Sequence, residues 1–169
     1  MVSTHVYYVL TDPEGSRIVS QRRKLSCFVI VHNEAERIER CLQSIAPWVD
    51  QLIILDSGST DGTLEICQKY SSEVYSTDWP GFGAQRNRAL EKCTHDWVLN
   101  IDADEVVDAD LRQEILALLE RPSLQCNLVK IPWRTFLFGK RLRFGRYSTP
   151  QGKLFKKEGA SWSRKNFSH

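Results

Sequence analysis

The sequence of 169 residues contains no long hydrophobic run, and no stretch approaches the ~18 consecutive apolar residues that cross a membrane. Residues 1–16 lack a basic start followed by an apolar core, so we expect no signal peptide. The five cysteines are odd in number and include no Cys-x-x-Cys pair. This usage favours reduced thiols, buried as small apolar side chains, over a disulfide framework or a zinc site. Together these absences predict one cytoplasmic domain of ordinary size.

Four catalytic signatures are also missing from the sequence. It has neither the Gly-x-x-x-x-Gly-Lys loop of P-loop ATPases nor the Gly-x-Gly-x-x-Gly loop of dinucleotide dehydrogenases. It also lacks the Gly-x-Ser-x-Gly turn of α/β-hydrolases and the His-Glu-x-x-His helix of zinc proteases. The sequence therefore argues against all four classes.

Acidic side chains are scarce in the last quarter of the chain. Residues 130–169 contain 11 Lys or Arg but a single acid, Glu158, whereas residues 1–129 contain 12 basic and 20 acidic residues. Such a segment favours an anionic partner, which means phosphate, acidic lipid or nucleic acid, and the plainer alternative is a solvated basic surface. Aromatic residues are interleaved with these charges: Trp133, Phe136, Phe138, Phe144, Trp162 and Phe167.

Strand and helix patterns alternate along the middle of the chain. Near-continuous apolar runs predict buried strands at 25–31, 52–56, 73–76, 97–101 and 128–133. Helical spacing predicts helices that begin after Asn33 as N-cap and end before Pro47, and that span 63–70, 84–93 and the segment after an Asp108 or Asp110 cap. We therefore predict an α/β fold: a doubly wound, mostly parallel sheet in the order 3-2-1-4, with helices on both faces.

The predicted domain has an extension on each side. The turn-rich segment within residues 1–23 predicts an N-terminal β-hairpin, residues 24–129 form the core, and 130–169 form a basic, aromatic segment.

Two aspartates follow the strand that begins at Trp97. In an extended segment Asp102 and Asp104 point the same way, and two carboxylates at the carboxyl end of a buried strand form an oxygen-rich site suited to Mg²⁺ or Mn²⁺. The predicted strand order brings the loops 32–34, 56–61 and 102–105 to one edge of the sheet. The remaining class of chemistry is thus a diphosphate held by a divalent cation, beside an edge able to read a base and a ribose.

Four segments in this order resemble glycosyltransferase family 2, which has the GT-A fold. They are Phe28-Val29-Ile30-Val31-His32-Asn33-Glu34, Asp56-Ser57-Gly58-Ser59-Thr60-Asp61-Gly62-Thr63, Gly83-Ala84-Gln85-Arg86-Asn87 and Asp102-Ala103-Asp104-Glu105. A finer resemblance, to bacterial enzymes that add a hexose to the lipopolysaccharide core, is carried by Trp133, Phe138, Gly139, Arg141 and residues 166–169. The resemblance implies an inverting, metal-dependent transfer of a hexose, with glucose expected, from a UDP-sugar to lipopolysaccharide core or another cell-envelope glycan.

The resemblance also implies roles for individual residues. Residues expected to bind the nucleotide sugar are Asn33, Glu34, Asp56, Asp61, Arg86 and Asp102. The metal is expected at Asp104, with Asp102 and the terminal His169 as further ligands. Asp56 would accept a hydrogen bond from the uracil N3–H, and Arg86 would offer its planar guanidinium to phosphate or base. Asp61 serves equally well as a helix N-cap.

An inverting transfer also needs a general base for the acceptor hydroxyl. Relatives of this kind carry a His-Glu pair near the end of the catalytic region, whereas this sequence stops at His169. We therefore expect the base to lie beyond the last residue and the chain to be truncated, with Glu105 as a weaker candidate. Two alternatives stay open: a non-catalytic fragment that binds nucleotide sugar or docks on a membrane, and a nucleotidyltransferase, which would need a glycine-rich loop after the first strand.

The basic segment is expected to face an anionic glycolipid. Its interleaved aromatic and basic side chains suit the cytoplasmic surface of the inner membrane, where the protein would bind peripherally. The same mixture could serve nucleic acid, but no recognition motif is present and none is expected as a partner.

Overall fold

The computed structural model describes residues 22–132, 136–137, 140–141, 150–163 and 167–168, and the fold is given for these. The strands are β1 Leu25–Val31, β2 Gln51–Asp56, β3 Glu73–Ser76, β4 Trp97–Asp102, β5 Leu128–Ile131, β6 Phe136–Leu137, β7 Lys140–Arg141, β8 Gln151–Lys156, β9 Ser161–Trp162 and β10 Phe167–Ser168. The helices are α1 Ile38–Ile45, α2 Thr63–Cys67, α3 Phe82–Lys92 and α4 Ala109–Glu120.

One six-stranded sheet, in the order β3-β2-β1-β4-β8-β5, organises the domain. Strands β1 to β4 are mutually parallel, so the predicted order 3-2-1-4 is confirmed. β1 lies in the middle, and every one of its seven residues is buried because helices cover both faces. The carboxyl ends of β1, β2 and β4 therefore lie along a single edge.

Apolar side chains fill a layer on each face of this sheet. On one face α1 and α4 pack through Leu42, Ile45, Ile115 and Leu119. On the other face α3 and β9 cover a second cluster, defined by Phe28, Ile30, Ile53, Leu55, Ala89, Leu90, Cys93, Val98 and Phe155. The i, i+3, i+4, i+7 spacing of Ile38, Cys41, Leu42 and Ile45 predicts the buried face of α1 correctly, because all four are fully buried.

The fifth predicted strand, β5, is present, but its place in the sheet differs from the prediction. β5 ends at Ile131, short of the predicted Trp133, and it does not pair with β4. β8 lies between them and runs antiparallel to both. Sequence patterning did not predict β8, whose run includes two lysines and a glycine. A strand from the basic segment is thereby part of the central sheet.

The helix starts also differ from the sequence prediction. Asn33 is not the N-cap of α1: it has φ 54°, and the helix begins five residues later, after Arg37. α2 ends at Cys67 instead of residue 70, and α3 begins at Phe82, two residues earlier than predicted. Asp108 does cap α4, since its side chain accepts a hydrogen bond from Leu111 N.

Four of the five thiols are buried as predicted, and burial raises the pKa of Cys67 and of Cys93 to about 12. Cys126 is exposed, because it lies in the loop between α4 and β5. The hairpin predicted within residues 1–23 falls almost wholly outside the described residues. Across the part of the chain that the structure describes, no helix has both the length and the apolar character needed to span a bilayer.

Candidate functional site

The loops after β1 and β2 are joined by hydrogen bonds between side chains of one and backbone groups of the other. Asn33 Oδ1 accepts from Thr60 N at 2.8 Å, and Asn33 N donates to Ser59 Oγ at 2.9 Å. Asp61 Oδ2 accepts from Ala35 N at 3.2 Å. These contacts explain why Asn33 adopts a left-handed conformation: it fastens a loop instead of starting a helix. Asn33 and Asp61 therefore shape this edge directly.

Asp61 and Glu34 lie where this loop leads into α2. Asp61 Oδ1 accepts from both Thr63 N and Thr63 Oγ1, and these bonds hold the pKa of Asp61 below its usual value, the Thr63 hydroxyl first. The cap of α2 itself is Gly62, with no side-chain cap bond. Glu34 N donates to Thr63 Oγ1, and its carboxylate is 3.7 Å from Arg37 Nε. Both carboxylates are at the sheet edge where the nucleotide was expected.

Asp56, the last residue of β2, is completely buried. Its carboxylate accepts hydrogen bonds from Gly58 N and Ser59 N, at 2.9 and 3.1 Å for Oδ2. It therefore folds the 57–61 loop back over the strand end, in the manner of an aspartate turn. A direct contact with a uracil base would require this loop to move.

Gln85 of α3, part of the segment 83–87 that carries the family resemblance, is a buried amide to which sequence analysis gave no role. Its Nε2 donates to Ser57 Oγ at 2.9 Å and to Thr77 Oγ1 at 2.8 Å. The amide thereby ties the loop after β2 and the segment after β3 to the first turns of α3. A polar residue on an otherwise buried helix face was the available signal.

Replacing Gln85 with leucine should lower the free energy of unfolding by about 1 to 2 kcal/mol. The substitution keeps the side-chain volume but leaves two hydroxyls without their donor. Urea unfolding measures the change, and Gln113→Leu, at an exposed glutamine inside α4, is the matched control. Equal effects of the two substitutions would contradict the structural role of Gln85.

A cluster of two carboxylates and two cations lies at the end of β4. Asp102 Oδ1 is 2.8 Å from Arg86 of α3, and Asp102 Oδ2 is 2.8 Å from Lys153 Nζ of β8. Lys153 Nζ also lies 3.0 Å from Glu105 Oε1. Glu105 Oε2 in turn accepts a hydrogen bond from Asp102 N at 3.0 Å. Three separate elements therefore meet at Asp102.

Burial and charge act differently on the two carboxylates of this cluster. Burial raises the pKa of Asp102, but Lys153 and Arg86 outweigh it and hold that pKa well below the ordinary value. Burial raises the pKa of Glu105 to about 8; Lys153 opposes the shift and the charge of Asp102 adds to it. Asp102 is accordingly the carboxylate that stays ionised most firmly.

Asp102 and Asp104 do not share the extended geometry that the sequence argument assumed. The strand ends at Asp102, and a turn closed by Glu105 N donating to Asp102 O follows it. As a result Asp104 is exposed, whereas the Asp102 side chain is 31% exposed and already paired. Among the described residues no three His, Cys, Asp or Glu side chains form a metal-binding group. His169 lies outside the described residues.

The position of Asp56 relative to Asp102 follows from the strand register. Asp56 pairs with Val31 and Asp102 with Ile30, on opposite sides of β1. They therefore lie at the same edge, two strand spacings or about 10 Å apart. The predicted convergence of the loops 56–61 and 102–105 thus holds.

Exposed aromatic side chains adjoin this edge at the start of α3. Trp79 and Phe82 are 46% and 64% exposed and pack edge to face, with ring centroids 4.8 Å apart. The Arg86 guanidinium carbon lies 5.7 Å from the Phe82 centroid. Its Nε is buried without a hydrogen-bond partner in the part of the chain described here, so Arg86 retains unused donor capacity beside Asp102.

The sequence model of the family described as "Glycosyl transferase family 2" matches residues 26–168. The chain belongs to glycosyltransferase family 2. Within family 2 it is 38% identical, over 100 residues, to the lipopolysaccharide core biosynthesis glycosyltransferase LpsC of Rhizobium meliloti; the match covers 56% of this chain and 37% of LpsC. It is 42% identical to an uncharacterized glycosyltransferase of Rickettsia felis, over 54% of this chain and 32% of that protein.

Among solved structures, glucosyl-3-phosphoglycerate synthase from Mycobacterium tuberculosis in complex with UDP is similar to this family 2 chain. The TM-score is 0.56 at 31% identity, over 68% of this chain and 46% of that one. The sheet accordingly has the GT-A arrangement. The chain spans about a third of the length of the curated relatives that it matches.

Lys153, like Gln85, is a site residue whose role sequence analysis missed. It was counted among the basic residues of the segment 130–169, but it is buried in the cluster with Asp102 and Glu105. The apolar neighbours Leu154 and Phe155 were the available signal, because a lysine beside a buried run must be paired.

Proposed function

We propose that this chain binds a UDP-sugar at the carboxyl edge of β1, β2 and β4 and transfers the hexose to an acceptor with inversion. The observation that carries the proposal is the convergence of three polar loops at one edge, where Asp102 is held by Arg86 and Lys153. Ligands of open α/β sheets bind outside the carboxyl ends of the strands. Membership of the family supports the reaction class.

The residues at this edge fit a divalent cation that is shared with a diphosphate. Mg²⁺ is usually held by one or two carboxylates, with substrate phosphates and water completing its shell, and exposed Asp104 and half-buried Asp102 meet that need. Bound there, Mg²⁺ or Mn²⁺ would stabilise the negative charge that grows on the departing diphosphate. Asp104 is the direct ligand in this proposal, and Asp102 contributes through its remaining exposed surface.

The chain's own residues orient the donor. The Arg86 side chain is 20% exposed beside Asp102, and a guanidinium binds phosphate in a planar, bidentate way. In this proposal the 57–61 loop, fixed by Asp56 and Asn33, presents backbone groups to the base and ribose, and Glu34 does so from the neighbouring loop after β1. Glu105 supports Asp102 and Lys153 in this scheme, and we place the general base elsewhere.

The donor and acceptor are the finer part of the proposal. UDP as the nucleotide that carries the sugar is supported by the similar synthase, whose structure contains UDP. As acceptor we propose an anionic glycan of the cell envelope, preferably the lipopolysaccharide core. The likeness to LpsC and the basic segment support this choice. Peripheral association of that segment with anionic lipid would bring the acceptor to the site.

The test is a screen of nucleotide sugars, with and without Mn²⁺, in which thermal unfolding measures binding as a rise in Tm. We expect a UDP-sugar to raise Tm only when Mn²⁺ or Mg²⁺ is present, because a ligand that binds the folded state stabilises it. Asp104→Ala should remove that shift while leaving the Tm of the ligand-free protein unchanged, since Asp104 is exposed.

Asp110→Ala, which removes an exposed carboxylate from the first turn of α4, is the matched control and should retain the shift. A shift of normal size in Asp104→Ala would reject the metal assignment. Binding of UDP-sugar without product formation, in the presence of acceptor, would favour the non-catalytic alternative. Release of pyrophosphate from a nucleoside triphosphate would instead indicate a nucleotidyltransferase.

A further inference from the structure

Lys153 is a buried cation that reaches the site from outside the parallel strands. It lies on β8, the antiparallel strand beside β4, and its side chain is only 3% exposed. Its Nζ contacts three carboxylate oxygens within 3.2 Å: Asp102 Oδ2 and both oxygens of Glu105. Burying an ammonium group is costly unless it is paired, so this geometry ties Lys153 closely to both carboxylates.

Both oxygens of Glu105 accept hydrogen bonds, from Lys153 Nζ and Asp102 N, as an ionised carboxylate does, and with Glu105 ionised the four charges of this cluster of described residues cancel. Asp102 and Glu105 carry the negative charges, and Arg86 and Lys153 carry the positive ones. Without Lys153 the same cluster would hold a net negative charge beside Asp104, and a divalent cation would be attracted to it without any nucleotide. With Lys153 present, Asp104 contributes the uncompensated negative charge at this turn. A bound diphosphate then supplies the further negative charge that a divalent cation needs.

We propose that Lys153 is a positioning residue that couples cation binding to nucleotide binding. By neutralising Asp102 and Glu105 it keeps the affinity for the cation alone low, and it leaves Asp104 as the negative charge of the turn, so that the cluster does not repel a diphosphate that binds together with the cation. The inference rests on the proposed function, and it adds a role for a residue of the basic segment. It distinguishes Lys153 from a lysine that merely fills space in the sheet.

The experiment uses calorimetry on the 169-residue chain to compare two affinities: that for Mn²⁺ alone, and that for UDP at saturating Mn²⁺. Lys153→Met should bind Mn²⁺ alone roughly tenfold more tightly and UDP roughly tenfold more weakly, the range expected for coupling between two sites. A merely structural lysine would weaken both. Lys153→Arg, which keeps the charge, should move both affinities back toward those of the wild type.

Two charge variants keep the test decisive if Lys153→Met folds poorly. Glu105→Gln makes the cluster net positive and should weaken binding of Mn²⁺ alone, the opposite of Lys153→Met. The double variant Lys153→Met/Glu105→Gln restores a net charge of zero and should return that affinity to the wild-type value. Lys130→Met, an exposed lysine of β5 whose backbone pairs with β8, is the matched control and should change neither affinity.

The outcomes separate this inference from the function on which it rests. An unchanged affinity for Mn²⁺ alone in Glu105→Gln and in Lys153→Met, or changes of the same sign for Mn²⁺ and UDP, would overturn the role of Lys153. Failure of the wild-type chain to bind UDP at any Mn²⁺ concentration would instead reject the proposed function.

Discussion

Replacing Asp102 with asparagine should lower the free energy of unfolding by about 2 to 3 kcal/mol and abolish UDP binding. Removing one partner of a buried ion pair costs about 3 to 5 kcal/mol, because the other charge stays buried. We expect a loss below that range, about 2 to 3 kcal/mol, because Asp102 is 31% exposed and Lys153 keeps its contact with Glu105. For a chain of this size the loss corresponds to a fall in Tm of roughly 5 to 10 °C.

The matched control for this prediction is Asp104→Asn, the same substitution two residues further on. Asp104 is exposed, so its substitution should change stability by less than about 0.5 kcal/mol while it removes the metal-dependent binding of UDP. The two aspartates therefore make different contributions: Asp102 to stability and binding, Asp104 to binding alone. Equal stability losses, measured by urea unfolding, would contradict the ion-pair geometry of Asp102.

The parallel part of the sheet was predictable because its signals are local. Each buried strand is a short apolar run bounded by polar loops, and α1 shows an uninterrupted apolar face over Ile38, Cys41, Leu42 and Ile45. The right-handed crossover rule then fixes the strand order. β8 was not predictable in this way, since its partners are β4 and β5 and its run contains lysines that tertiary contacts neutralise.

Residue types at the site were predictable, whereas their contacts were not. The position of Asp102 at a strand end follows from the apolar run before it, but the turn after it exposes Asp104 and returns Glu105 to the cluster. The partner of the Glu105 side chain in that cluster is Lys153, 48 residues away in the sequence. Asn33 likewise resembled a helix cap, because its partner Thr60 is remote in the sequence. Contacts over such distances leave no periodic signal.

Phe155 packs β8, the strand that carries Lys153, into the core. Its substitution should therefore cause a second large loss of stability. Phe155 is completely buried in the second cluster, and its ring lies 5.4 Å from that of Trp162 at an interplanar angle of 76°. Residues two apart in a strand point to the same face, so Lys153 and Phe155 share the face on which Asp102 lies. Phe155 thus holds in place the strand from which Lys153 reaches the carboxylates.

Phe155→Ala should lower the free energy of unfolding by about 3 to 5 kcal/mol, since it removes a buried ring and leaves a cavity that the sheet cannot fill. A domain with a free energy of unfolding of about 5 kcal/mol, the low end of the usual range, would be left with little stability. Phe82→Ala is the matched control: that ring is 64% exposed, and its loss should cost less than about 1 kcal/mol. Because Phe155 packs beside Lys153, we also expect weaker UDP binding in the fraction that remains folded. A cost below 1 kcal/mol for Phe155→Ala in urea unfolding would mean that β8 is not an integral strand of the sheet.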